Sequence, residues 1–210
     1  GIPIIKIGEV ASMKLRAVLS AIWVLFLVPC LAGDLEDGIK FHQRNDYARA
    51  IGSFEKAAAN GNVQAQRRLG FMYYHGEGVP QDNRRAIALF EKAGDAGDIE
   101  SITNLGKMYE FGMGVGQDDS RAASWYGKGA ELGDPPSQYR VSVMYYQGQG
   151  VARDRVEAAK WWTLAMSHGR EWAERFGPSV ESAESKLTPE ENAEGKRRAA
   201  KWLKAREARN

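Results

Sequence analysis

The residues most suggestive of chemistry are glycines paired one residue apart. They occur as His75-Gly76-Glu77-Gly78-Val79, Phe111-Gly112-Met113-Gly114-Val115 and Gln147-Gly148-Gln149-Gly150-Val151. A glycine-rich loop can cradle phosphate, because its backbone N–H groups converge where no side chain intrudes. That use requires a preceding strand and a third glycine, and no strand is expected beside these loops. Repetition at one spacing favours a backbone role instead, since glycine permits positive φ where a chain reverses. The other chemical groups are sparse. His42, His75 and His168 show neither helical nor zinc-finger ligand spacing, so no metal site is expected. Cys30 is the only cysteine, and no Ser/His/Asp order or paired-carboxylate motif stands out. These absences lead to the expectation of a non-enzyme with no cofactor.

A fixed period positions the glycines. Tyr73, Tyr109 and Tyr145 open equivalent stretches 36 residues apart, and a period of about 20–50 residues marks stacked repeats. A bulky position at Phe54, Phe90, Tyr126 and Trp162 keeps the same period, as does a small one at Ala50, Ala86, Ala122 and Ala158. Tyr47, Ala50, Ile51, Phe54, Ala57 and Ala58 fall on one helical stripe, with Asn45 or Asp46 as N-cap and Gly61 as stop. The small residue lets a neighbouring helix approach, and the aromatic one turn on fills the remaining space. No unit of this size can bury its own apolar face, so stacking must do it.

Leu69-Gly70 with Tyr73, Gly76, Gly78, Val79, Asp82, Ala86 and Ala93 resembles the Sel1-like repeat family, a relative of the tetratricopeptide repeats. Leu105-Gly106, Tyr109, Gly112, Gly114, Val115, Asp118 and Ala122 repeat the match. The fourth copy departs at Val141-Ser142. The first, with Asp37-Gly38, Phe41, Asp46-Tyr47 and Ala50, looks like an ordinary tetratricopeptide unit whose interhelix turn is four residues shorter. The resemblance implies an all-α fold, an α/α solenoid of stacked antiparallel helix pairs. It implies repeats over 33–62, 63–98, 99–134 and 135–169. It also implies a concave face of first helices that binds a protein or peptide segment. On that alignment the groove-facing residues are Arg67, Phe71, Tyr74 and His75, then Thr103, Lys107, Glu110 and Phe111, then Tyr139, Val143, Tyr146 and Gln147. Aromatic residues and arginine are enriched at binding hot spots. Cysteine-rich secreted relatives act on β-lactams, but they carry a cysteine pair in each repeat that this chain lacks. A cell-wall glycan binder using Trp125, Trp161, Trp162 and Trp172 is a further alternative.

Residues 170–210 read as a helical cap. One helix is expected near Glu171–Phe176, broken at Gly177-Pro178, and a second after Thr188-Pro189-Glu190-Glu191, a capping box with proline at N1. The second helix would bury Ala193, Ala200, Trp202 and Leu203. Its basic end, including Lys196, Arg197, Arg198 and Arg206, fits a helix C-terminus better than a nucleic-acid site. At the other end, Met13-Lys14-Leu15-Arg16 leads into an apolar run to Val28 and then Pro29-Cys30-Leu31-Ala32-Gly33. That order reads as a secretory signal peptide over 13–32, with 1–12 an upstream extension. Cys30 lies in a partial lipoprotein box in which Pro29 replaces the expected small residue. A periplasmic or secreted protein is therefore expected ahead of an outer-membrane lipoprotein. Cleavage after Ala32 removes Lys6, Lys14, Arg16 and Glu9, so the formal charge of +2 falls to zero.

Overall fold

The computed structural model describes residues 33–209, which are helical and contain no strand. The expectations for 1–12, 13–32 and Cys30 fall outside the described residues. The chain divides into two compact units, Gly1–Gln81 and Asp82–Asn210.

In the first unit, helix α1 covers residues 33–43. It is followed by α2 (Tyr47–Ala59) and α3 (Val63–His75), which pack against each other. The stripe expected on α2 is present, with Ala50, Ile51, Phe54 and Ala57 buried. The choice of N-cap resolves to Asp46, whose side chain accepts from the Arg49 N–H. Asn45 takes the left-handed turn position at φ 59°.

The second unit contains α4 (Asn83–Asp95), α5 (Ile99–Phe111), α6 (Asp119–Glu131), α7 (Pro135–Gln147), α8 (Arg155–Met166), α9 (Arg170–Glu184) and α10 (Pro189–Glu207). Each helix from α4 to α8 packs on the next, while α10 returns to α8. Asp82, Asp98, Asp118, Asp134 and Asp154 each cap a helix by accepting a backbone N–H three residues on. A cap of this kind contributes about 1 kcal/mol. The recurring aspartates therefore set helix starts at fixed intervals.

The aromatic and small positions serve the core as expected. Ala50, Ala86, Ala122 and Ala158 are all fully buried, and so are Phe54 and Tyr126 within a percent. The structure adds their seat. A Cβ on Gly38 would lie 2.5 Å from the Phe54 ring, and one on Gly106 would lie 2.5 Å from the Tyr126 ring. Gly38 thus does in the first repeat what the Leu-Gly glycine does in the third. In the fourth repeat Ser142 takes this place, with its hydroxyl donating to the Tyr139 carbonyl at 2.7 Å.

The short and long turns are closed by the same bond. The Asp46 N–H donates to the Phe41 carbonyl at 2.9 Å, Asp118 to Tyr109 at 2.8 Å and Asp154 to Tyr145 at 3.0 Å. The longer turns add two left-handed glycines. Gly76, Gly112 and Gly148 cap the first helices at φ 73°, 66° and 75°. Gly78, Gly114 and Gly150 then press on the first residue of an earlier second helix: Tyr47, Asn83 and Asp119. The extra residues are a staple between successive repeats as well as a hinge within one.

Two glycines of α6 give a paired prediction. A Cβ at Gly127 meets nothing within 4 Å, whereas one at Gly129 would overlap the Ser137 side chain on α7. Gly127→Ala should stabilise by about 0.5–1 kcal/mol through lost unfolded-state entropy. Gly129→Ala should destabilise by about 1–2 kcal/mol through overpacking. Urea denaturation checks both. A shift of the same sign for the two variants would contradict this packing.

The C-terminal segment departs from expectation twice. Helix α9 does not break at Gly177-Pro178; it runs through Pro178 to Glu184. An interior proline removes one backbone bond. Here the residues beyond it hold the helix in place: Val180 joins the buried cluster of Ala158, Ala159 and Trp162, with Ala183 and Leu187 packed beside it. Helix α10 has the expected capping box, Thr188 with Glu191. Its buried face is Gly195 and Ala199, while Ala193, Ala200 and Leu203 are exposed. The reason is close approach, because a Cβ on Gly195 would overlap Ala159 of α8. Further along, the Trp202 ring meets Trp161 at 6.1 Å and its Nε1–H donates to Glu131 at 2.8 Å. Arg206 donates to the Leu132 carbonyl at 3.0 Å. That cation caps the end of α6, which gives it a structural role.

Candidate functional site

In the first unit, three of the four expected groove residues form one aromatic patch. Phe71 and His75 stack at 6.1 Å with rings 8° apart, and Tyr74 meets His75 edge-on at 5.0 Å. Their positions on α3 follow from helical spacing. Arg67 is half-buried on the same helix. Behind the patch lies a cavity of about 270 Å³ lined by His42, Phe54, Arg68, Phe71, His75 and Glu77. His42 and Glu77 bond at 2.9 Å, joining the end of α1 to the turn after α3. Sequence reading missed Arg68 and Glu77 because the cavity forms only where α1, α2 and α3 converge.

In the second unit the expected residues separate. Tyr139, Tyr146 and Gln147 line a cleft of about 240 Å³ on α7. Val143 completes that stripe, Trp162 comes from α8, and Val180, Ala183 and Lys186 form the opposite wall. Tyr139 packs against Phe176 at 4.3 Å, and Tyr146 lies 6.0 Å from Trp162. Arg153 sits over Tyr146 at 5.7 Å and donates to its carbonyl. The wall from α9 went unread because Gly177-Pro178 implied that the helix stopped short of it. Lys107 and Phe111 are exposed on α5, Phe111 by 63%.

Glu110 is a correction to the groove set. It is 5% exposed and cannot face a partner. The Tyr126 hydroxyl donates to its Oε2 at 2.9 Å, and Arg140 forms an ion pair with the same carboxylate. Burial pushes the Tyr126 phenol up and the Arg140 guanidinium down from their ordinary ranges. The carboxylate, phenol and guanidinium come from α5, α6 and α7, so they form a polar clasp inside the stack.

The family model described as Sel1 repeat matches residues 31–62, 63–98, 99–134 and 135–169. The chain belongs to the Sel1 repeat family. The match includes the short-turned first unit, which by sequence resembled an ordinary tetratricopeptide repeat. Among solved structures, the chain is similar to c5321, a protective antigen present in uropathogenic Escherichia coli strains and displaying an SLR fold. That likeness has a TM-score of 0.67 and 29% identity, covering 81% of this chain and 38% of the antigen. It is also similar to a Sel1 repeat protein from Oxalobacter formigenes, with a TM-score of 0.54 and 35% identity, covering 60% of this chain and 96% of that one. The present chain therefore spans well under half of the E. coli antigen. A comparison with curated proteins gives no match. The fold is an α/α solenoid of Sel1 repeats. Proteins of this family are mostly non-catalytic scaffolds and generally bind other proteins.

The remaining histidine and the tryptophans fit within the Sel1 architecture. His168 bonds to the fully buried Gln138 at 3.2 Å, and partial burial together with the Arg206 charge holds its pKa below the usual histidine range. Trp161 and Trp162 are each 3% exposed and cannot form a glycan platform. Trp172 stacks on Phe176 at 4.8 Å, and Trp125 is covered by Lys128 at 5.1 Å. Among the described residues, no group of His, Cys, Asp and Glu could hold a metal ion.

Proposed function

We propose that this protein is an exported Sel1 scaffold that binds a segment of a partner protein in the bacterial envelope, acting there as an adaptor or regulator. The observation that carries this reading is the cleft between α7 and α9, where Tyr139, Val143 and Tyr146 of a first helix face Val180 and Ala183. Aromatic walls with Gln147 and Lys186 at the edge suit a peptide, whose side chains are apolar and whose backbone needs polar partners. Trp162 also lines the cleft, and its buried Nε1–H has no acceptor among the described residues. Export rests on the basic, apolar and small-residue order of residues 13–32. The protective-antigen description of the E. coli relative is in keeping with it.

Peptide selection against the purified protein tests the reading. Enriched peptides should bind the wild-type chain, and Tyr146→Ala or Val143→Glu should weaken them at least about tenfold, as expected for a hot spot worth over 1 kcal/mol. Circular dichroism should be unchanged. Equal binding by both folded variants would remove the cleft from the proposal. Mass spectrometry of the mature form should find Gly33 at the N-terminus, and a retained leader would contradict export.

A further inference from the structure

The first half of α9, residues 170–177, is bounded by two weak points. It begins without a side-chain cap. An Asp or Asn side chain accepts a backbone N–H at the start of every helix from α2 to α8, and Thr188 does so for α10. Gly169, at φ 118°, stands before α9 and has no side chain to offer. The half ends at Gly177-Pro178. Pro178 brings no N–H to the Glu174 carbonyl, and its ring crowds that carbonyl. Gly177 is not required for space: a Cβ there meets nothing within 4 Å, and its φ is outside the left-handed region. Its effect is added backbone freedom. Between these points no described side chain is buried. The second half is anchored. Val180 joins the Ala158, Ala159 and Trp162 cluster, the Lys186 carbonyl accepts from Arg155 at 3.4 Å, and Glu184 pairs with Lys196 at 3.7 Å. The first half meets the stack through aromatic rings: Phe176 packs on Tyr139 at 4.3 Å, and Trp172 stacks on Phe176 at 4.8 Å. Tyr139 is also the first residue of the α7 stripe that lines the cleft.

We infer that residues 170–177 form an autoinhibitory flap, which pivots at Gly177-Pro178 and keeps Phe176 on Tyr139 until a bound segment displaces it. The ring of Phe176 stands where an aromatic or large aliphatic side chain of the partner would sit. A site that is open in only a fraction of molecules binds with its affinity reduced by that fraction, so the flap sets the apparent affinity of the cleft. It also selects, because a segment without such a side chain gains nothing by displacing Phe176. The inference rests on the α7–α9 cleft as the binding site.

The test pairs amide hydrogen exchange of the full chain with titration of peptides selected against the wild-type chain. Without peptide, the amides of residues 174–177 should exchange at least about tenfold faster than those at the matching positions 139–142 of α7. The double variant Gly177→Ala/Pro178→Ala restores the missing donor and stiffens the pivot. It should slow that exchange and weaken the peptides at least about threefold, because the closed flap gains population. Phe176→Ala removes the internal competitor, so it should speed the exchange and tighten the peptides at least about threefold. Circular dichroism should show both variants folded. Exchange at 174–177 as slow as in α7 would overturn the inference, as would wild-type affinity in the stiffened variant. Weaker binding by Phe176→Ala would overturn it too, by making Phe176 a wall of the site. Failure of the cleft reading shows separately, as selected peptides insensitive to Tyr146→Ala, whereas the exchange of the flap is read without any peptide.

Discussion

Glu110→Ala should destabilise the Asp82–Asn210 unit by about 3 kcal/mol, because it leaves Arg140 and the Tyr126 hydroxyl without their shared acceptor. The size follows from burial. Glu110 is 5% exposed, so its ion pair lacks the solvent screening that makes surface pairs weak. Arg140, 34% exposed at its side chain, can recover some hydration, which places the cost at the low end of the buried-pair range of about 3–5 kcal/mol. For a chain of this length that cost corresponds to a melting temperature lower by about 6–12 °C. The double variant Glu110→Leu/Arg140→Met distinguishes a clasp from mere packing. Removing both charges leaves no unpaired charge, and the Tyr126 hydroxyl is stranded equally in both variants, so the double variant should be more stable than Glu110→Ala despite carrying one more substitution. Urea denaturation of the two variants measures this. A double variant less stable than the single would show that shape, and not charge pairing, dominates at this site.

Glu110 shows where sequence reading stops. Its position on α5 follows from the 36-residue period, and Tyr74 and Tyr146 at the matching positions are half-exposed. Period alone treats the copies as equivalent. What turns Glu110 inward is Arg140, whose counterparts Arg68 and Asn104 meet no such acid. The parts of the fold governed by local rules were readable: aspartate caps, the capping box of α10, the small and aromatic core positions, and the left-handed glycines. The parts set by docking between distant segments were not. Pro178 looked like a stop because the local rule is strong, yet Val180 and Ala183 beyond it pack on α8 and keep α9 intact. Helix α10 carries Trp202 and Leu203 side by side, and only the approach of Gly195 to Ala159 decides which of them faces the stack. The same division holds for binding. The stripe of Tyr139, Val143 and Tyr146 was legible on one helix, whereas the wall opposite it and the Arg68 cavity each need several helices to meet.

Gly150→Ala should destabilise by about 3 kcal/mol, and neighbouring glycines allow that cost to be taken apart. Gly150 has φ 69°. Placing a side chain in the left-handed region costs about 1–2 kcal/mol. Its added Cβ would also overlap the Asp119 carbonyl, which is backbone at the first turn of α6 and cannot rotate away as a side chain would. Displacing that turn adds an overpacking cost of about 1–3 kcal/mol and disturbs the Asp118 cap beside it. Gly148 isolates the first term: its φ is 75°, but its Cβ would only graze the Arg153 Cβ at 3.2 Å, so Gly148→Ala should cost about 1–2 kcal/mol. Gly116 has neither feature, since its φ is outside the left-handed region and nothing lies within 4 Å, so Gly116→Ala should be neutral within about 0.5 kcal/mol. Denaturation midpoints should therefore fall in the order Gly116→Ala, Gly148→Ala, Gly150→Ala. If Gly148→Ala and Gly150→Ala cost the same, the second glycine is needed only for its φ, and the staple between repeats is not what fixes it. A phosphate-binding loop makes the opposite prediction: inorganic phosphate would stabilise the wild-type chain and the glycine variants would lose that effect. Under the staple, phosphate should shift none of the midpoints beyond its general salt effect, because the N–H groups of Gly76, Gly112 and Gly148 already donate to their own helices and the space beside Gly78, Gly114 and Gly150 is filled by the preceding repeat.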